Sequence, residues 1–226
     1  MKQVVRAALV STLPVMTGYL VLGFGFGMIL KANGFHILLA LAMSLFIYAG
    51  SMQYVALGLL TGGASLITVA LTTLMVNARH LFYGISMLEP YRGAGKRKPY
   101  LIFALTDETY SLVCQIPEDI PPERRTDYCF FVSLFDHIYW VAGSVLGAVA
   151  GSLLSFDSRG IDFALTALFI TVFVEQWMSS ERHAPALIGV CVSVTCLLIF
   201  GKERFLIPAM LIITLLLCLG RKEEKS

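Results

Sequence analysis

The chain has 226 residues, 57% of them hydrophobic and only 14% charged, with a mean hydropathy of +0.77. A soluble domain carries about 25% charged residues, so the composition excludes an ordinary soluble fold and points to an all-α, polytopic integral membrane protein. A net charge of +2 gives no electrostatic basis for a nucleic-acid partner.

A helix needs about 20 apolar residues to span the hydrocarbon. Eight candidate segments follow in chain order, at roughly 8–30, 36–60, 64–88, 99–116, 129–154, 162–178, 184–200 and 203–219. Six to eight helices are expected. The first segment, after Lys2 and Arg6, exceeds the roughly 7–15 apolar residues of a signal peptide and leads into further segments. It reads as a retained helix, and Gly23-x-x-x-Gly27 marks a close-packing face on it.

The second segment is interrupted at Tyr48-Ala49-Gly50-Ser51-Met52-Gln53. Gly50 permits an unusual backbone there, and Ser51 can cap the half-helix that follows. Backbone N–H groups at such a half-helix, aided by its dipole, meet a carboxylate well, and Gln53 could add an amide contact. A small-residue packing notch is the alternative.

The third segment holds Asn77-Ala78-Arg79-His80. Asn77 and His80 share one helix face, Arg79 and Tyr83 another. Arg79 keeps its proton and needs a carboxylate, for which Asp107 and Asp136 are the nearest candidates. A structural ion pair and an interfacial, snorkelling Arg79 remain open. In the fourth segment Asp107 and Glu108 point about 100° apart on a helix. They cannot both face one small ligand, so one can pair with Arg79 while the other faces a cavity.

The fifth segment carries Asp136-His137. Asp136, Trp140, Gly143, Gly147 and Gly151 fall on one stripe, and the glycines read as a second close-packing face. A charge at the helix centre costs about 2.5–3.5 kcal/mol on insertion scales. Arg79, His80, Asp107, Glu108, Asp136 and His137 therefore read as groups that meet one another, water or a ligand, as ion pairs or a proton relay. The short sixth segment closes on Glu175-Gln176-Trp177, while His36 and His183 read as loop residues. The five cysteines are scattered, odd in number and without C-x-x-C, so they read as small apolar residues rather than disulfides or a metal site.

Topology poses a problem. Positive charge favours the cytoplasm. It clusters at Lys2 and Arg6, at Arg92, Lys96, Arg97 and Lys98, and at Arg221, Lys222 and Lys225. Three segments lie between the first two clusters and five between the last two, so eight plain helices cannot put all three on one side. One broken or re-entrant segment in each half removes the conflict. In the first half Tyr48–Gln53 is the candidate. In the second half Glu175–Trp177 and Gly201–Arg204 both qualify. A terminus on the outer side is the alternative.

The runs Ala49-Gly50-Ser51-Met52-Gln53, Asn77-Ala78-Arg79-His80-Leu81-Phe82-Tyr83-Gly84 and Leu105-Thr106-Asp107-Glu108 resemble, in order, the motifs of the AzlC family. This is the large subunit of two-component branched-chain amino acid exporters. The resemblance implies one transporter domain over 1–226 in the inner (cytoplasmic) membrane, an apolar amino-acid substrate and a small AzlD-type membrane partner. Gly50, Ser51, Gln53, Asn77, Asp107 and Glu108 are then the expected substrate-binding residues. Another small metabolite or ion as cargo, and a scaffold that transports nothing, are the rival expectations. No G-x-S-x-G, H-E-x-x-H or P-loop occurs, so neither an enzyme nor a cofactor or metal is expected.

Overall fold

A computed structural model describes residues 1–153, 170, 173–174, 177–178, 183–201 and 205–223. Glu175, Gln176 and Lys202–Arg204, candidates for the second break, lie outside the described residues. Among the described residues every regular element is helical. The chain forms two compact units, Met1–Ala164 and Leu165–Ser226.

The first unit contains α1 (Lys2–Ala32), α2 (Ile37–Phe46), α3 (Gly50–Thr61), α4 (Leu66–Val76), α5 (Ala78–Ser86), α6 (Lys98–Phe103), α7 (Asp107–Cys114) and α8 (Arg125–Leu153). Among the described residues, α1 and the stretch Pro122–Leu153 are long and apolar enough to cross a membrane, and α4 with α5, bent by 47°, pass the same test only as a pair, as a broken span or a re-entrant loop. Phe46, Leu66, Ile67 and Phe82 stand open to the surroundings, as an apolar solvent allows.

Helices α1 and α8 run parallel and form the spine. Their two glycine stripes face each other, which identifies what each packing face meets. A Cβ on Gly23 would lie 2.9 Å from the Trp140 carbonyl oxygen, and one on Gly143 would lie 2.8 Å from that of Leu20. Gly27 and Gly147 sit tighter still, against the Ser144 and Phe24 carbonyls, and Gly151 rests on Lys31. Without a hydrophobic drive between helices in lipid, such backbone approach is what holds two helices together. The N-terminal ends of both helices share one core with the stretch before α6, through Val4, Ala8, Tyr91, Ala94, Tyr128 and Cys129. The basic clusters Lys2/Arg6 and Arg92–Lys98 therefore lie at the same end of the unit. There Asp127 binds Arg97 (2.6 Å) and Arg124 (3.0 Å).

The segment 36–60 is two half-helices. Helix α2 starts at the far end, where His36 Nδ1 accepts from Leu38 N–H as its cap. It descends until Leu45 borders Leu134, His137 and Ile138 at mid-height on α8. The chain then reverses through Ile47–Ala49. Gln53 is level with Trp140, and the Tyr54 hydroxyl donates to the Leu22 carbonyl beside Phe26, so α3 climbs back towards the far end.

The segment 99–116 repeats the pattern from the basic end. Helix α6 rises from Arg97, whose guanidinium lies 5.0 Å from the Phe130 ring centre, to Phe103 beside His137. Helix α7 returns, carrying Val113 into the basic-end core. Asp107 and Glu108 thus stand at a helix N-terminus and not, as the apolar run suggests, inside one long helix. The third segment also breaks, at Asn77 (φ −96°, ψ 6°) between α4 and α5, which undoes the shared face expected for Asn77 and His80.

In the second unit α9 (Ala184–Phe200) ends at Gly201, where φ is +73°, and packs against α10 (Leu206–Glu223). Just before α9, Trp177 stacks on His183 at 4.1 Å.

Candidate functional site

Three helix breaks meet at mid-height, at 47–49, at 77 and at 104–106. Each break frees backbone groups that a continuous helix would satisfy, and in an apolar surround each must find a partner. The residues that provide these partners make the site.

At the first tip the left-handed backbone belongs to Tyr48 (φ +44°), not to Gly50. A non-glycine residue there is uncommon. Its ring is held against His137 (centroids 4.2 Å apart) and Phe103 (6.2 Å). Gly50 is small for another reason: a Cβ would lie 3.0 Å from the Trp140 indole. Ser51 does not cap α3. The position before Gly50 is Ala49, without a side-chain cap, and Ser51 Oγ accepts from Arg79 Nη2 at 3.0 Å. Gln53 is fully buried. Its Oε1 accepts from Trp140 Nε1 (2.9 Å) and its Nε2 donates to Ser44 Oγ (3.3 Å), which ties α3 to both α8 and α2. The Ser44 carbonyl, left open by the end of α2, accepts from His137 Nε2 at 3.1 Å. A carbonyl only accepts, so Nε2 carries the hydrogen, and Nδ1 of a neutral His137 accepts from Tyr100 O–H at 3.3 Å.

At the second tip Thr106 caps α7, its Oγ1 accepting from Thr109 N–H at 3.2 Å. Asp107 and Glu108 fill the first turn, where a helix dipole favours anions. They diverge as their spacing predicts. Asp107 pairs with Arg79 at 2.7 Å and accepts from Tyr83 O–H at 2.8 Å. Glu108 Oε2 accepts from Tyr19 O–H at 2.7 Å. Arg79 therefore joins the two tips, with Ser51 on one side and Asp107 on the other. About a third of each ion-pair side chain is exposed, and Arg79 Nε has no partner among the described residues.

Asp136 is fully buried and is not the partner of Arg79. Its Oδ2 accepts from Thr109 Oγ1 at 2.8 Å. Its Oδ1, the Tyr48 hydroxyl and Ser133 Oγ are buried without a hydrogen-bond partner among the described residues. His80 lies edge-on to Tyr83, with ring centres 5.9 Å apart. Asn77 marks the third break through its backbone, its carbonyl accepting from His80 N–H at 2.9 Å. No cluster of three or more metal-ligating side chains exists among the described residues.

Tyr19, Thr106 and Thr109 were not legible as site residues. One signal existed for Thr106. A Thr followed by two acids is the pattern of a helix N-cap, even inside an apolar run.

The family model described as AzlC protein matches residues 14–154, which cover every group in this cluster. The chain belongs to the AzlC family. A relative from Bacillus subtilis, the "Branched-chain amino acid transport protein AzlC", is 45% identical over 219 residues, covering 96% of this chain and 85% of its own length. An "Uncharacterized membrane protein" of Helicobacter pylori strain J99 is 43% identical, covering 96% and 95%. The "Inner membrane protein YgaZ" of Escherichia coli K12 is 29% identical, covering 82% and 79%. No solved structure gives a significant match. For this AzlC-family chain the matched span begins within α1 and ends with α8, so the family signature is the first unit.

Proposed function

We propose that the whole chain, 1–226, acts as the large subunit of a secondary transporter. It exports branched-chain and other medium apolar amino acids across the inner (cytoplasmic) membrane, coupled to protons, with a small AzlD-type membrane partner. The observation that carries this reading is the near full-length 45% identity to a protein named for branched-chain amino acid transport.

The chemistry of the site supports it. A zwitterionic amino acid carries a carboxylate and an ammonium, and both must lose water to cross. The N-termini of α3 and α7 both start at mid-height, and helix N-termini favour anions. Arg79 between them suits the carboxylate, with Ser51 and the Gly50 backbone beside it and Gln53 holding that half-helix in place. Asp107 and Glu108 suit the ammonium, and Asn77 lines the approach at the third break. Discontinuous helices with binding at mid-membrane are a recurrent transporter device.

The same arrangement supports a topology. Helix α1, the α4–α5 pair and α8 are the crossings of the first unit. The α2–α3 and α6–α7 hairpins enter from opposite sides and leave by the side they entered. Two crossings then separate Lys2/Arg6 from Arg92–Lys98, the even number a cytoplasmic position for both demands.

The test is transport by the purified chain, with its small partner, in sealed vesicles preloaded with labelled valine or leucine. Outward movement driven by a pH gradient is expected. Vesicles that retain both labels at the rate of protein-free controls would leave the scaffold reading standing.

A further inference from the structure

The two carboxyl groups at opposite ends of the cluster are joined by an unbroken row of hydroxyls. Glu108 Oε2 meets Tyr19 O–H at 2.7 Å, Tyr19 meets Thr106 Oγ1 at 2.5 Å, Thr106 meets Thr109 Oγ1 at 3.0 Å, and Thr109 meets Asp136 Oδ2 at 2.8 Å. Tyr19, Thr106, Thr109 and Asp136 are all buried, and Glu108 is exposed.

The number of hydrogens in the row decides its protonation. The row has four oxygen–oxygen links. Three hydroxyls bring three hydrogens. With both carboxyls ionised, the end hydroxyls point outward and one inner link holds two oxygens face to face with no hydrogen between them. Buried lone pairs in that position are costly. One additional proton fills the fourth link, and it can reside only on Glu108 or Asp136.

The geometry points to a shared-proton wire, in which Glu108 and Asp136 hold one proton between them and exchange it through Tyr19, Thr106 and Thr109. In one state Glu108 is the acid and donates to Tyr19, Tyr19 to Thr106, Thr106 to Thr109, and Thr109 to the Asp136 carboxylate. The transfer breaks four O–H bonds and forms four. Each oxygen hands its hydrogen to the next, leaving Glu108 as carboxylate and Asp136 as acid. Every hydroxyl keeps one hydrogen, now pointing the other way. Thr106 serves both states, since it also accepts from Thr109 N–H in either. Tyr48, Tyr100 and His137 stand near the Asp136 end, and Asp107, Arg79 and Tyr83 near the Glu108 end. The wire links the exposed end of the row to the buried one, so a proton taken up at Glu108 reaches α8 without water. As a coupling device it rests on the transporter reading. The shared proton itself does not.

Two readouts keep the two apart. Infrared difference spectroscopy of the purified chain at neutral pH should show a protonated carboxyl band that is lost when Glu108→Gln and Asp136→Asn are combined. Coincident spectra of the parent and that double variant would overturn the wire. In vesicles, Tyr19→Phe and Thr109→Val each break the row while keeping shape. Each should cut valine export driven by a pH gradient at least tenfold. Thr109→Ser, which keeps the hydroxyl, should recover driven export. Parental driven export in Tyr19→Phe and Thr109→Val would overturn the wire. If the parent moves no valine at all, the transport proposal fails and the infrared result alone decides the wire.

Discussion

Gly143→Ala is the smallest change that should disturb the spine of the first unit. The added Cβ would lie 2.8 Å from the Leu20 carbonyl oxygen and 2.9 Å from that of Tyr19, where ordinary contact begins at 3.4 Å. The opposing atoms are backbone, so no rotamer relieves the clash and the helices must part by the difference, about 0.6 Å. Overpacking of this kind costs about 1–3 kcal/mol. At about 2–4 °C per kcal/mol for a chain of this size, the melting temperature should fall by about 2–12 °C. Thermal unfolding of the detergent-solubilised protein, followed by loss of the monodisperse peak, measures it. Gly58→Ala is the control, since nothing lies within 4 Å of a Cβ there. It should hold or raise stability, by up to about 1 kcal/mol of helix propensity. If Gly143→Ala melts with the parent, α1 and α8 do not pack through these stripes.

Other substitutions probe the cluster. Trp140→Phe removes the donor to buried Gln53 Oε1 and should cost about 1–3 kcal/mol, read by the same unfolding assay. Adding Gln53→Met should recover part of that loss, because no unmet amide oxygen then remains. Arg79→Ala should lower stability and abolish transport. Combining it with Asp107→Asn should restore stability but not transport, whereas Asp136→Asn should restore neither. The pair is about a third exposed, so the recovered stability should be small, about 0.2–1 kcal/mol. Gly50→Leu drives a side chain into the Trp140 indole and should end valine transport at unchanged membrane abundance, as blotting of the membrane fraction would show.

The sequence marked some of these features clearly and others not at all. Gly23-x-x-x-Gly27 and Gly143-x-x-x-Gly147-x-x-x-Gly151 announced two faces that something approaches closely. A small-residue stripe cannot name its partner, and the structure supplies it by placing each against the other. The break near Tyr48 was legible because Gly50 and Ser51 interrupt an apolar run. Its strained residue was not, since nothing local favours Tyr48 at positive φ. The turn is imposed by the rings of Phe103 and His137 from distant elements. The break at 104–106 lies in Ala-Leu-Thr, without glycine or proline, and only the Thr106 cap with its two acids gave a trace. Arg79 needed a carboxylate by charge alone, and segment order made Asp107 and Asp136 the nearest candidates. Choosing between them takes the return of α7. Tyr19 looked like one more aromatic in an apolar helix. Its partner Glu108 is 89 residues away, a separation no local pattern encodes.

The proposed transport requires an apolar amino acid to bind where the broken helices meet. Ser51→Cys tests it most directly, in a chain whose native Cys114, Cys129, Cys191, Cys196 and Cys218 are replaced by serine or alanine. A membrane-permeant maleimide reports access to that position. Valine at saturating concentration should slow labelling of Cys-substituted position 51 at least several-fold, and equal lysine or glutamate should leave it unchanged. A labelling rate indifferent to valine, in vesicles that still export it, would place the substrate elsewhere.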